Sequence, residues 1–232
     1  MANGIRFFSA GPLSVLAILL IIGIVIILIP LFLLGLIGAA FTRLGFSWIT
    51  ALAVVLLMIF GSFINIPVYR LQRDTIRVDQ QENALYEGVS AWESVISVNL
   101  GGAVMPLLIS MYLLYTVFPI YGQSLLYSTG IGLAVVAVIA FVSTRQVPGT
   151  GLSVSLILPA LAALLMGTLL GSGTGISAVV IAFVSGTMGT LIGGNVVNLF
   201  RIKEMGMPFL NIGGAGTFGA IFLCCLLPAL IA

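Results

Sequence analysis

From Ser94 to Ala232 only Arg145, Arg201, Lys203 and Glu204 carry charge. A soluble domain gives about a quarter of its positions to charged residues; here they are 6% of 232 residues, against 61% hydrophobic, with a mean hydropathy of +1.30. No aqueous shell can be built from such a chain, so its expected surroundings are a lipid bilayer. Crossing about 30 Å of hydrocarbon takes about 20 apolar residues in a helix. Apolar runs of that order lie near 12–39, 47–66, 99–118, 126–143, 153–171, 176–199 and 213–231. The expected fold is an all-α bundle of about seven transmembrane helices, a single domain over 1–232. The first run is overlong and contains Pro30, so it should tilt, protrude or bend.

The basic residues test the count, because cytoplasmic loops collect Lys and Arg. With seven crossings Arg6, Arg70, Arg73, Arg77, Arg145, Arg201 and Lys203 fall on one side and Arg43 on the other. This puts the N-terminus in the cytoplasm of a cell-membrane protein and the C-terminus outside. Arg6 before an apolar run suggests a signal peptide, but the run is too long for an h-region and no small-residue cleavage site follows, so an uncleaved first span is expected. Ala2 excludes N-myristoylation, and the C-terminus has no prenylation box.

Most acids crowd between the second and third runs, at Asp74, Asp79, Glu82, Glu87 and Glu93. This 67–98 stretch is expected to be a cytoplasmic or interfacial insertion. Val68-Tyr69-Arg70-Leu71 and Ile76-Arg77-Val78-Asp79 alternate as a small hairpin would. An amphipathic interfacial helix through Asn83 to Val98, with Tyr86 and Trp92 at headgroup level, fits equally well.

A net charge of +2 gives no footprint for nucleic acid. There is no His, and the only cysteines, Cys224 and Cys225, point about 100° apart around a helix, which suits neither a disulfide nor a metal set. No cofactor is expected. The sixth run repeats small residues at Ala182, Gly186, Thr190 and Gly194, beside a second row of Ser185, Gly189 and Gly193, a pattern that lets helices approach closely. That helix should be buried in the bundle.

Polar groups at membrane depth are neutral, chiefly Asn65, Asn99, Asn195, Asn198 and Asn211, whereas proton relays need titratable groups. Glu93 lies nearest to an exception and reads more simply as an interfacial charge. Asn99-Leu100-Gly101-Gly102-Ala103 opens the third run and Asn211-Ile212-Gly213-Gly214-Ala215 the seventh. Each Asn could cap its helix, or the exposed N–H groups could attract an anionic headgroup or substrate. Asn195 and Asn198, on adjoining faces at the end of the sixth helix, should meet the seventh helix at Gly214, Gly216, Thr217 and Gly219. With Asn99 and Asn211, these residues make up the candidate polar or partner-binding site.

The runs Phe63-Ile64-Asn65-Ile66-Pro67-Val68-Tyr69-Arg70-Leu71, Val98 to Pro106, Val147-Pro148-Gly149, Ser185 to Gly193 and Gly213 to Phe218 resemble an uncharacterised family of archaeal and bacterial multi-pass membrane proteins. The resemblance covers residue 60 to the end. It implies an acid at the position of Asn195 and another at Gly219, an arrangement similar to presenilin and signal-peptide-peptidase-type intramembrane aspartyl proteases. Such a dyad needs two carboxylates sharing a proton. Gly214-Ala215-Gly216 keeps the turn, but amide and glycine replace the acids, so aspartyl proteolysis is unavailable.

The expected role is therefore non-catalytic: a subunit, or a component binding a partner helix or lipid, in a membrane complex, descended from an intramembrane protease-like family. The alternatives are a small-molecule or ion transporter or channel, with broken helices at Gly171 to Gly175 and at Asn211 to Gly216, and an active intramembrane hydrolase using Glu93.

Overall fold

The computed structural model describes residues 12–72, 93–147, 151–171, 175–201 and 209–231. Six helices lie in them: α1 (Pro12–Arg43), α2 (Trp48–Gly61), α3 (Met105–Ser143), α4 (Leu158–Leu170), α5 (Ile176–Leu191) and α6 (Ala215–Ile231). They share the chain with five strands: β1 (Asn65–Gln72), β2 (Glu93–Asn99), β3 (Arg145–Val147), β4 (Gly151–Ser153) and β5 (Phe209–Ile212). The expectation of an all-α fold is thus corrected. β2 is the middle strand of a three-stranded sheet, antiparallel to β1 and parallel to β5, and β3 pairs with β4 in a separate hairpin.

The strands shorten the helices expected beside them. The 47–66 run is helical only to Gly61, because a 14-residue helix gives way at Ser62 and Asn65 already pairs with Asn99. Likewise the 153–171 run becomes helical only at Leu158. At 1.5 Å per residue, α2 and α4 span about 20 Å each, less than a bilayer core. Among the described residues three helical stretches are long and apolar enough to cross a membrane, Ile18–Thr42, Leu100–Ser143 and Ile176–Phe200, and the apolar helices α2, α4 and α6 are shorter.

The 67–98 insertion resolves in favour of strands at both described ends: Ile66 pairs with Val98, Arg70 with Val95 and Gln72 with Glu93. The alternative helix is therefore excluded for residues 93–98. Residues 73–92, which carry the rest of either reading, lie outside the described residues, as do Arg6 and Lys203. The register slips by one residue between Pro67 and Tyr69, where proline lacks the N–H that a ladder needs.

α3 merges the two runs expected at 99–118 and 126–143, yet it is not one rod. Gly122 has φ 60° and ψ −145°, far from helical values and accessible mainly to glycine. In the half before it, Ser110 Oγ lies 3.1 Å from Thr187 Oγ1 on α5. In the half after it, Gly132 faces the Ser185 side chain, Gly189 faces Val136 and Gly193 faces Ala137. Residues 110 and 132 therefore sit at one level of α5, and the chain reverses at Gly122.

α5 is the enclosed helix: 78% of its apolar window is buried, against 28% for the α3 stretch and none for that of α1. Thirteen of its residues, from Ala178 to Leu191, are buried. Its row at 189 and 193 faces α3, while Gly186 faces Ala163 of α4 and Cys224 of α6. The main apolar core gathers Phe41, Val55, Met58, Leu113, Val180, Phe183 and Cys225 from five of the helices. α1 is a helix of 32 residues that runs on through Pro30 and enters this core only near its end, through Ile37, Ala40 and Phe41.

Backbone lies against backbone at Gly193, where a Cβ would overlap the Ala137 carbonyl; Gly130 has nothing within 4 Å of the same position. A carbonyl cannot rotate aside as a side chain can. Gly193→Ala should lower stability by about 1–3 kcal/mol, whereas Gly130→Ala should change it by less than about 1 kcal/mol and in the favourable direction. Thermal unfolding in detergent micelles reads both; equal effects would refute the packing.

Candidate polar site at the strand–helix junctions

Two units alike in local sequence, Asn-Leu-Gly-Gly-Ala at 99–103 and Asn-Ile-Gly-Gly-Ala at 211–215, stand side by side. β2 runs through Asn99 into a π-helical turn, Leu100–Val104, and on into α3; β5 runs through Asn211 and Gly213-Gly214 into α6. Because β2 and β5 are parallel, with Ser97 opposite Asn211 and Val98 opposite Ile212, both helices leave the sheet in one direction. Their glycines touch: a Cβ at Gly102 would overlap the Gly213 carbonyl, and one at Gly213, where φ is 74°, would lie 2.5 Å from the Gly102 carbonyl carbon. Gly101 makes an equivalent approach to the Met58 carbonyl and the Ser62 nitrogen at the end of α2.

The asparagines tie these turns. Asn99, 1% exposed, accepts the Gly102 N–H through Oδ1 at 2.7 Å, as a helix cap does. Its Nδ2 donates to the Ser62 carbonyl (2.6 Å) and to Asn65 Oδ1 (2.9 Å), joining the end of α2, β1 and β2. Asn211 does not cap in that way. Its side-chain oxygen accepts from the Ser97 hydroxyl across the parallel pair, and the Gly214 N–H instead donates to the Asn211 main-chain carbonyl at 3.1 Å.

Asn195 closes the arrangement from α5. It lies in a second π-helical turn, Ile192–Val196, and is 1% exposed. The Gly213 N–H donates to its Oδ1 at 3.3 Å and its Nδ2 donates to the Asn211 carbonyl at 3.5 Å, so both ends of the amide engage one turn of main chain. Asn198 does not face that turn: its Nδ2 donates back to the Gly193 and Gly194 carbonyls, at 3.2 and 3.1 Å, which the widened turn would otherwise leave unsatisfied.

The four candidate positions on and before α6 divide. Gly214 packs on the Asn211 side chain, and Thr217 Oγ1 donates to the Gly214 carbonyl at 3.2 Å, so both serve the turn. Gly216 instead receives β4: the Val154 N–H donates to its carbonyl at 3.0 Å, and a Cβ there would overlap the Leu152 carbonyl. Gly219 faces the end of the Leu156 side chain and lies outside the hydrogen-bonded cluster. Sequence reasoning missed Ser97 and Ser62. Ser97 and Asn99 are two residues apart in β2 and both buried, so a polar pair on one face of a strand was the available signal.

Among the described residues every buried side-chain nitrogen or oxygen has a hydrogen-bond partner. The cluster can hold main chain in place, and its buried side-chain nitrogens and oxygens are engaged.

Replacing Asn195 therefore removes a structural tie. Asn195→Ala orphans the Gly213 N–H and leaves the Asn211 carbonyl with the Gly214 N–H alone, and Asn195→Asp sets an acceptor against that carbonyl. Each should lower stability by about 1–3 kcal/mol in thermal unfolding of the detergent-solubilised protein, and an unchanged midpoint for both would contradict the assignment.

A family model described as "Protein of unknown function (DUF1614)" matches residues 59–231, about three quarters of the chain, and the chain belongs to that family. The match takes in the whole polar cluster and leaves out α1 and most of α2. No curated protein and no solved structure matches the chain.

Proposed function

We propose that this member of the family is a seven-crossing cell-membrane protein without a catalytic centre of its own, acting as a component of a membrane complex that holds a partner helix or lipid. The observation that carries the non-catalytic reading is the Asn195 amide, both ends of which are bonded to the 211–213 turn. Descent from an intramembrane protease-like family is part of the reading, with Asn195 and Gly219 standing where relatives would carry acids. The amide keeps a contact between α5 and the start of α6 and supplies no base.

Seven crossings are supported by the reversal at Gly122, which makes two passes of α3. Helix order then alternates. Gly167 meets Ala182 and Gly171 meets Ala178, so α4 and α5 are antiparallel. Ala103 clusters with Leu191 and Ile221, whereas Ala140 and Val154 cluster with Ala220, so the strand-bearing ends of α3, α4, α5 and α6 gather together. Among the described residues all five strands lie at that end, and residues 44–47, Gly122, Gly171 and Gly175 at the other. The strand end carries Arg70, Arg145 and Arg201, and by the distribution of basic residues it is cytoplasmic. Residues 67–72 and 93–98 of the expected insertion, Asn99, Asn211 and the rest of the candidate site belong to this end.

Single cysteines on a background with Cys224 and Cys225 replaced by Ala test the topology. Tyr69→Cys and Gln146→Cys should react with an impermeant thiol reagent only from the cytoplasmic face, and Gln123→Cys only from outside. Labelling of Gln123→Cys from the cytoplasmic face would overturn the seven-crossing reading. For the role itself, mild extraction from native membranes should yield a fixed stoichiometric partner or retained lipid, and a lipid-free lone monomer would count against it.

A further inference from the structure

One open groove lies apart from the asparagine cluster. It encloses about 680 Å³ between the end of α3, the β3–β4 hairpin and the start of α4. One wall is apolar and faces outward: Val138, Val142 and Leu158 are 62%, 76% and 54% exposed. Its polar rim carries Arg145, Ser153 and Ser155, and no acidic side chain is among the lining residues. Arg145 and Ser153 are paired across the hairpin ladder, which fixes the guanidinium stem beside the hydroxyl. Arg145 is itself exposed and stands two residues beyond the end of α3, where an apolar helix meets water.

We propose that this groove binds an anionic glycerophospholipid, with the phosphate at Arg145 and the Ser153 and Ser155 hydroxyls and an acyl chain along Val138, Val142 and Leu158. The occupant follows from the two walls together. A free anion would use the rim alone and leave the apolar wall empty, and a soluble apolar ligand would leave the guanidinium without a counter-charge. A lipid satisfies both at the depth where headgroup and chain divide, and a fork of guanidinium donors suits a phosphate's oxygens. The inference rests on the helices lying in a bilayer, but it does not depend on the number of crossings or on a partner protein.

The test is native mass spectrometry of the full chain released from nanodiscs of phosphatidylcholine mixed with phosphatidylglycerol. The wild type should retain phosphatidylglycerol in preference to phosphatidylcholine. Arg145→Gln should reduce that retention by about fivefold, the equivalent of one basic residue at a membrane surface. Arg145→Lys should restore most of it, and Arg43→Gln, at the other end of the bundle, should leave it unchanged. Val142→Trp, which fills the apolar wall without touching the charge, should also lower retention. Equal retention of both lipids, or retention unaffected by Arg145→Gln, would overturn the proposal. Displacement of phosphatidylglycerol by inorganic phosphate would also overturn it, by showing that the rim alone makes the site. If cysteine labelling refuted the seven crossings while Arg145-dependent retention persisted, the topology would fall and the lipid site would stand.

Discussion

The contact on which this architecture depends is that of main chain with main chain at Gly102 and Gly213. Two strands end side by side in parallel, and the helices that follow them can start together only if nothing projects between the turns. A Cβ on either glycine would meet the other's carbonyl group. In a bilayer such proximity has a second consequence, because each N–H and C=O must find a partner inside the protein. Asn99 supplies one to the Gly102 N–H, and Asn195 supplies one to the Gly213 N–H. The glycines bring the chain together and the amides satisfy what that closeness removes from water.

The same logic explains the two π-helical turns. Each contains a glycine pair, Gly101-Gly102 and Gly193-Gly194, and each brings main chain against a neighbour, the end of α2 in one case and α3 in the other. Widening a helix by one residue leaves carbonyls short of partners. Asn198, two residues past the second turn, donates back to its Gly193 and Gly194 carbonyls, and so does not engage the 211–213 turn that Asn195 holds. The buried asparagines are thus distributed by backbone demand, and their spacing of three residues does not make them a pair.

Much of this was legible in the chain. The apolar runs marked the helices, and the echo of Asn99-Leu100-Gly101-Gly102 in Asn211-Ile212-Gly213-Gly214 marked the two junctions that meet. The pairing of β2 with β5 was not legible, because a parallel ladder joining residues more than a hundred positions apart leaves no local pattern. Nor were the ends of α2 and α4: Ile64-Asn65-Ile66-Pro67 is apolar enough to read as more helix, and only its partner strand makes it β. The capping role expected of both asparagines holds for Asn99 alone, since Ser97, overlooked in the sequence, takes up the Asn211 oxygen. Gly219 was grouped with the cluster because the resemblance implies an acid at its position; its actual neighbour, Leu156, comes from the non-helical approach to α4.

If the Asn195 amide holds the β5–α6 turn, amide hydrogen exchange should report it at that turn and little elsewhere. In Asn195→Ala, exchange at residues 211–214 should quicken markedly relative to the wild type, with the interior of α5 unchanged. Unaltered protection at Gly213 in a folded Asn195→Ala protein would show that the turn does not rest on this amide and would contradict the account.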